Sequence, residues 1–421
     1  MWIKPDRLDL TYCTNIHAGE SWDEVEASIG EYGIALKRRL SPDAPFALGL
    51  RLSALAASQL LVGDRLARFK SWLDEYGLYV ALINGFPFGS FHAEVVKSKV
   101  FSPDWRQTAR VLYTLDLARI LSRLLPEGMD GGISTLPLSY KPWIHDPGSA
   151  WPTILTHLIE VTTELIAIRE RTGRFIHIDI EPEPNGLIES TAELVAFFDG
   201  PLLQLGAPML AERLSCTIEA ARRHVREHIQ VCFDTCHMAI QFEDPAQSLA
   251  LLQAHNISIG RLQISSALRI VVDRSSTGIN QLRTELAPYT KDCIYLHQVV
   301  ERDVEGTLRR YTDLDEALAS ATPAKGGEWR IHFHLPLFTG QHTGQHTGQY
   351  TGQYTGQYGA ALSTQAENCA LLALAASGNI CSHLEIETYT WHVLPASLKI
   401  DLLSSIEREF RWVLNELCTR P

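Results

Sequence analysis

The chain has 421 residues, 45% of them hydrophobic and 20% charged, with a formal net charge of −12. That composition supplies a sizeable core for one large domain or two to three ordinary ones, and an acidic balance without a Lys/Arg stripe excludes nucleic acid as an expected partner. The opening MWIKPDRLDLTY lacks a signal-peptide core and nowhere do 18 apolar residues run together, so a cytoplasmic protein that does not span a membrane is expected.

Short β-branched or apolar runs alternate with longer amphipathic segments nearly from end to end. In chain order the strand candidates are 8–15, 46–53, 78–86, 132–140, 175–181, 229–235, 261–266, 331–338 and 383–391. Several are almost continuously apolar, as parallel strands covered on both faces require. Helical spacing fills the intervals at 53–77, 105–125, 150–173 and 397–417, and Gly173 supplies a C-cap to the third. Repeated strand–helix units predict a (β/α)8 TIM barrel, with residues 1–421 as one domain. No GxGxxG follows the first strand and no GxxxxGK[ST] occurs, which argues against nucleotide binding. Nine strand candidates are one too many for such a barrel. The stretch 292–314 reads as a hairpin turning at Glu305 and Gly306, so an insertion is expected over 269–330. Either 261–266 or 331–338 is then displaced from the seventh barrel position.

Barrel enzymes gather their chemistry at the C-terminal strand ends. His17, Arg51, Asn84, Tyr140, Glu181 with Glu183, Asp234 with His237, Gln263, His334 and Glu387 all fall there. Pro182 and Pro184 hold the chain extended after Glu181 and favour a fixed carboxylate. Asp234 ends an apolar run and His237 follows three residues on. A carboxylate suits a hard divalent cation and imidazole is tolerated by manganese, cobalt or zinc, although Asp234 equally fits a helix N-cap. Glu385 and Glu387 share one face of a period-two strand, where inward carboxylates need a partner such as a metal. His332 and His334 share one side of 331–338 and read as ligands or substrate contacts. Eight scattered cysteines form no CxxC pair, and Cys232 and Cys236 read as small apolar residues.

At these residues the chain resembles the xylose-isomerase-like TIM-barrel superfamily of sugar isomerases and epimerases. The resemblance implies one divalent metal (Mn, Co, Mg or Zn) held by Glu181, Asp234, His334 and Glu387. Gln263 is the alternative to His334: spacing from Asp234 favours the glutamine, residue type the histidine. The DTCH run at 234–237 looks like the Asp-Thr-x-His of ketose 3-epimerases, whose histidine contacts substrate. A small polyhydroxylated metabolite, a sugar or cyclitol, is then the expected partner, with Glu181 and Glu387 exchanging a proton next to its carbonyl. His17, Arg51, Asn84, Glu183, His237 and His332 are the expected substrate contacts. More closely, YCTNIHAGESW, IDIEPEP, FDTCH, LQISSAL, YLHQV and LEIETYTW together look like the EboE family, the sugar-isomerase-like metabolite-traffic proteins of bacterial ebo clusters. That likeness implies processing or export of secondary-metabolite precursors, with other ebo-cluster proteins as candidate partners. A non-catalytic barrel that binds a precursor for transport is the alternative.

From Thr339 to Tyr358 the tetrapeptide Thr-Gly-Gln-His/Tyr repeats five times. His342 and His346 stand four apart, the helical spacing of two ligands, but a glycine in every fourth position makes a stable helix costly. The repeat reads as a tolerant loop, and loops accept added length at modest entropic cost. Deleting 339–358 is expected to leave soluble yield and metal content unchanged, checked by expression and elemental analysis. Loss of soluble protein would give the repeat a structural role.

Overall fold

The alternating runs form a barrel in the computed structural model, which describes residues 1–3, 8–92, 95–272, 280, 282–284, 286–287, 289–290, 294–321, 327–339, 361–377, 380–395 and 399–418. Seven barrel strands come first: β1 (Leu8–Tyr12), β2 (Phe46–Arg51), β3 (Leu78–Asn84), β4 (Asp130–Thr135), β5 (Phe175–Ile180), β6 (Ile229–Asp234) and β7 (Ile259–Ile264). There follow β8 (Ser266–Val272), β9 (Val299–Asp303), β10 (Leu308–Tyr311), β11 (Gly327–Leu335) and β12 (Ala361–Ser363), which lie outside the barrel. β13 (His383–Ile386) completes it. Around the barrel the order is β1, β13, β7, β6, β5, β4, β3, β2, every pair parallel. Cys13 bridges Gly49 to close the ring between β1 and β2.

Helices cover the strands and explain their apolar character. The longest, Pro147–Thr172, starts on the Asp146 side chain, which accepts from the Gly148 amide, with Pro147 in its first turn; it ends on Gly173 at φ +71. Each end carries the residue its unpaired backbone groups favour. The segment expected to be one helix over 53–77 is two, Ala54–Leu60 and Arg65–Tyr76, parted at Gly63, which adopts φ +62. Thr191–Leu214 is a helix long and apolar enough to cross a bilayer. Its Leu194, Phe197, Phe198, Leu202 and Leu210 are instead buried in the core.

The five strands between β7 and β13 form a second, antiparallel sheet in the order β10, β9, β11, β8, β12. Its own small core includes Leu268, Ile270, Val299, Trp329, Ile331 and Phe333. In the β9–β10 turn Gly306 takes φ +88, and Asp303 accepts from the amides of Glu305 (3.0 Å) and Thr307 (2.8 Å). The inserted sheet is wider than the expected 269–330, since it begins at Ser266 and takes in β11 and β12. The run 331–338 therefore belongs to the insertion, and 261–266 supplies the seventh barrel strand. Period-two apolar alternation suits a central strand of either sheet, so it cannot choose between them. The repeat beyond Thr339 lies outside the described residues.

One layer below the strand ends, the barrel is filled by charge. Arg261 on β7 donates from Nε to Asp179 (3.2 Å), from Nη1 to Glu385 (2.8 Å) and from Nη2 to the Ile83 carbonyl (3.1 Å). His177 meets Asp179 at 2.5 Å and Asp130 at 3.8 Å. Burial works against its protonation, but Asp179 and Asp130 prevail and hold the imidazole up at about 9. Room for the network is made in the backbone: a Cβ at Gly260 would overlap the Asp179 carboxylate, and one at Gly49 the Glu385 carboxylate. Removing the cation strands the buried Glu385 carboxylate and leaves Asp179 with His177 alone, so Arg261→Met is expected to cost about 3–5 kcal/mol. Denaturant unfolding measures this, and a loss under about 1 kcal/mol would mean the network is not what holds these strands together.

Candidate metal centre

Glu181 and Glu387 stand one residue beyond their strands and are fixed by continued pairing. The Glu181 amide donates to the Thr135 carbonyl at 3.0 Å and the Glu387 amide to that of Ile264 at 3.1 Å. Asp234 closes β6. One carboxylate oxygen from each of Glu181, Asp234 and Glu387 lies within 4.8 Å of the others, and all three residues are buried. Asp234 is the helix N-cap that its position allowed. Its Oδ1 caps the helix Thr235–Ile240, accepting from the amides of Cys236 (2.7 Å) and His237 (3.2 Å), and also accepts from Ser265 Oγ (2.7 Å). Its Oδ2 is buried without a hydrogen-bond partner among the described residues, and so is Glu181 Oε2.

Glu387 Oε1 accepts from Asn15 Nδ2 at 2.6 Å and from Asn84 Nδ2 at 3.2 Å. Gln263 points its Nε2 at Glu387 Oε2 and, at 3.5 Å, at Glu181 Oε1. The Cys232 thiol fixes that orientation by donating to Gln263 Oε1 at 2.9 Å. Burial first, then mutual repulsion with Asp234, pushes Glu387 well above the usual carboxylate range; burial, Glu387 and Asp234 do the same to Glu181. Glu183 is pushed up to about 8, mainly by burial. Among the described residues no Lys or Arg forms an ion pair with any of these four carboxylates.

Imidazoles and aromatic rings close the mouth. His237 arrives on the helix after β6, and His332 and His334 on β11 of the inserted sheet. All three are buried. Burial drives His237 down to about 3 and His334 to about 4. Phe91, Tyr295 and Tyr389 form one wall, with ring centroids 5.1–5.2 Å apart.

Asn84, Glu181, Glu183, His237, His332 and Glu387 line the mouth cavity. His334 and Gln263 lie against its carboxylates. The contest for the third position divides: Gln263 holds the seventh strand, while His334 comes from the other sheet, its Nδ1 3.4 Å from Glu387 Oε2. Two expected substrate contacts stand elsewhere. Arg51 pairs with Glu20 at 3.1 Å and donates to the Gly19 carbonyl at 2.8 Å. His17 bonds the Tyr12 hydroxyl at 3.1 Å and stacks on Tyr32. The chain turns through a 3-10 segment, Thr14–Ile16, after β1, so Asn15 and not His17 faces the mouth. Glu385 finds a guanidinium instead of a metal. Asn15, Gln298 and Tyr389 were not anticipated; Tyr389 stands two residues after Glu387, in the same period.

No protein-family model and no curated protein matches the chain in sequence. Among solved structures it is similar to an IolI protein with a bound zinc atom (10% identity, 98% of this chain and 100% of that one, TM-score 0.46). It is also similar to D-psicose 3-epimerase from Clostridium cellulolyticum H10 (16%, 61% and 73%, 0.37) and to 3-keto-D-glucoside 4-epimerase from E. coli (15%, 61% and 79%, 0.34). These likenesses are distant, and the chemistry rests on the residues themselves.

Gln263→His would replace an amide that donates to the carboxylates by a neutral ring that accepts. Affinity for zinc or cobalt is expected to rise roughly tenfold, read by competition with a chromophoric chelator. Unchanged affinity would put position 263 outside the ligand set.

Proposed function

We propose that the chain is a divalent-metal-dependent isomerase or epimerase that moves a proton next to the carbonyl of a sugar or cyclitol. The observation that carries this reading is the buried convergence of Glu181, Asp234 and Glu387 at barrel strand ends, with no Lys or Arg in an ion pair with them among the described residues. The residues fit a hard or borderline ion: oxygen donors predominate, and two of their buried oxygens are unpartnered among the described residues. Gln263 would join the set on turning its amide to present Oε1. When bound, the ion supplies charge stabilisation for an enediolate.

The chain's own groups account for the rest. Glu181 and Glu387 come from strands separated by β6 and β7, so they approach a substrate in the mouth from different sides. Burial makes each a stronger base once ionised, which suits one to take the proton and the other to return it. Asn15 and Asn84 orient Glu387. Glu183 and Tyr389 are placed to bond hydroxyls, and the aromatic wall excludes water and offers an apolar face to a ring. The motif likeness to the EboE family is what supports reading the reaction as the processing of a secondary-metabolite precursor in the cytoplasm. One observation favours the carrier reading instead: Gln263 donates to two carboxylates where a ligand is expected.

Purified protein in D2O, offered a panel of hexuloses and inososes, is expected to place deuterium on the carbon beside the carbonyl. Glu181→Gln and Glu387→Gln should each slow that exchange by at least about a hundredfold. Binding without exchange would favour a carrier. Metal content unchanged in both Glu181→Gln and Asp234→Asn would sink the carboxylate metal site.

A further inference from the structure

Three buried rings meet beside the carboxylates. His237 Nε2 lies 3.2 Å from His332 Nε2, which lies 3.1 Å from His334 Nε2. In each ring the other nitrogen is committed to an oxygen that only accepts. Nδ1 of His237 donates to the Pro182 carbonyl at 3.0 Å, that of His332 to Gln298 Oε1 at 2.7 Å, and that of His334 to the Glu387 carbonyl at 3.1 Å. The Gln298 amide cannot turn over without losses, because its Nε2 donates to Glu183 Oε1 (3.3 Å) and the Pro184 carbonyl (3.0 Å). These bonds keep each ring proton on Nδ1 and aim each Nε2 lone pair at the others.

The Tyr389 hydroxyl, 3.3 Å from His332 Nε2, can satisfy one lone pair and leaves the others facing. Converging lone pairs repel unless a cation is shared between them. Second-atom bonds from Nδ1 to carbonyl oxygens are also the usual way in which proteins orient ligating histidines.

We propose that His237, His332 and His334 form a second cation site, distinct from the carboxylate centre, that takes zinc or a similar borderline transition ion. The donor set decides the class: neutral imidazoles favour zinc, cobalt, nickel or copper over magnesium or calcium. Oxygen and sulfur for a fourth position are at hand. Asp234 groups with His237 and His334, Glu183 with His237 and His332, and Cys236 with His332 and His334, each set within 4.8 Å. Asp234 is thus common to the imidazole set and to the carboxylate set. The site also joins two parts of the fold, since His237 belongs to the barrel and the other two to the inserted sheet. This inference does not depend on the isomerase reading.

Elemental analysis of the full-length protein is expected to find two transition or divalent ions per chain, one of them zinc after zinc loading. His332→Ala should lose one ion and keep the one that Glu181→Gln loses. Loss through Glu181→Gln alone, with His332→Ala retaining the full content, would overturn the imidazole site. A single ion lost through His332→Ala alone would uphold it and overturn the carboxylate centre. Should His332→Ala fail to fold, X-ray absorption of wild-type protein loaded with a single zinc equivalent decides. Three imidazole nitrogens around zinc are expected, and one or none overturns the proposal.

Discussion

A carboxylate taken out of water must meet a counter-charge, a set of donors or a proton, and this barrel buries carboxylates in two successive layers. In the deeper layer the chain provides the counter-charge itself. Arg261 and protonated His177 stand among Asp179, Glu385 and Asp130, and the ties run through β4, β5, β7 and β13. In the layer above, Glu181, Asp234 and Glu387 receive amides and a hydroxyl but no ammonium or guanidinium partner among the described residues. On β5 and β13 the two layers stand two residues apart, Asp179 beneath Glu181 and Glu385 beneath Glu387, so paired and unpaired charge are there separated by one step of the pleat.

The inserted sheet depends on that arrangement. It leaves β7 almost at once, at Ser266, and returns through β13, so it is rooted between the two strands that carry Gln263 and Glu387. The end of its β11 is tied back to the barrel's last helix, Leu402–Cys418. Glu409 there accepts from the Leu337 amide at 3.1 Å and from Thr388 Oγ1 at 2.6 Å. Burial pushes that carboxyl up to about 7, so it spends part of the neutral range protonated, as its position in the core favours. The tie holds the end of β11, and with it His334, against the loop that presents Glu387.

Much of the candidate site was legible because Glu181, Asp234 and Glu387 each mark the place where a strand stops. Pro182 and Pro184 after Glu181 and the DTCH turn after Phe233 are local signals that tertiary packing did not overrule. Legibility failed where the side chain's environment is set by another strand. Arg261 sits inside an apolar run and gives no sign of its partners, which lie on β5 and β13. Glu385 has the same periodicity as Glu387 and the opposite fate. His17 lost its expected role to Asn15 because a 3-10 turn rotates the chain after β1, and such a turn has no marker in the sequence. The run 331–338 could not be placed from its pattern, and its two histidines reach the mouth only because a second sheet lies over the first.

The proposed ligands thus come from separately specified sources. Oxygen donors are written into the barrel strands, His237 into the helix after β6, and His332 and His334 into a contiguous stretch between β7 and β13. A stretch that leaves and re-enters a barrel at adjacent strands can be exchanged as a unit while the strand pairing beneath it stays the same. Two of the three imidazoles are then a property of the exchangeable part, and the strand ends below keep their oxygen donors whatever stretch is fitted above them.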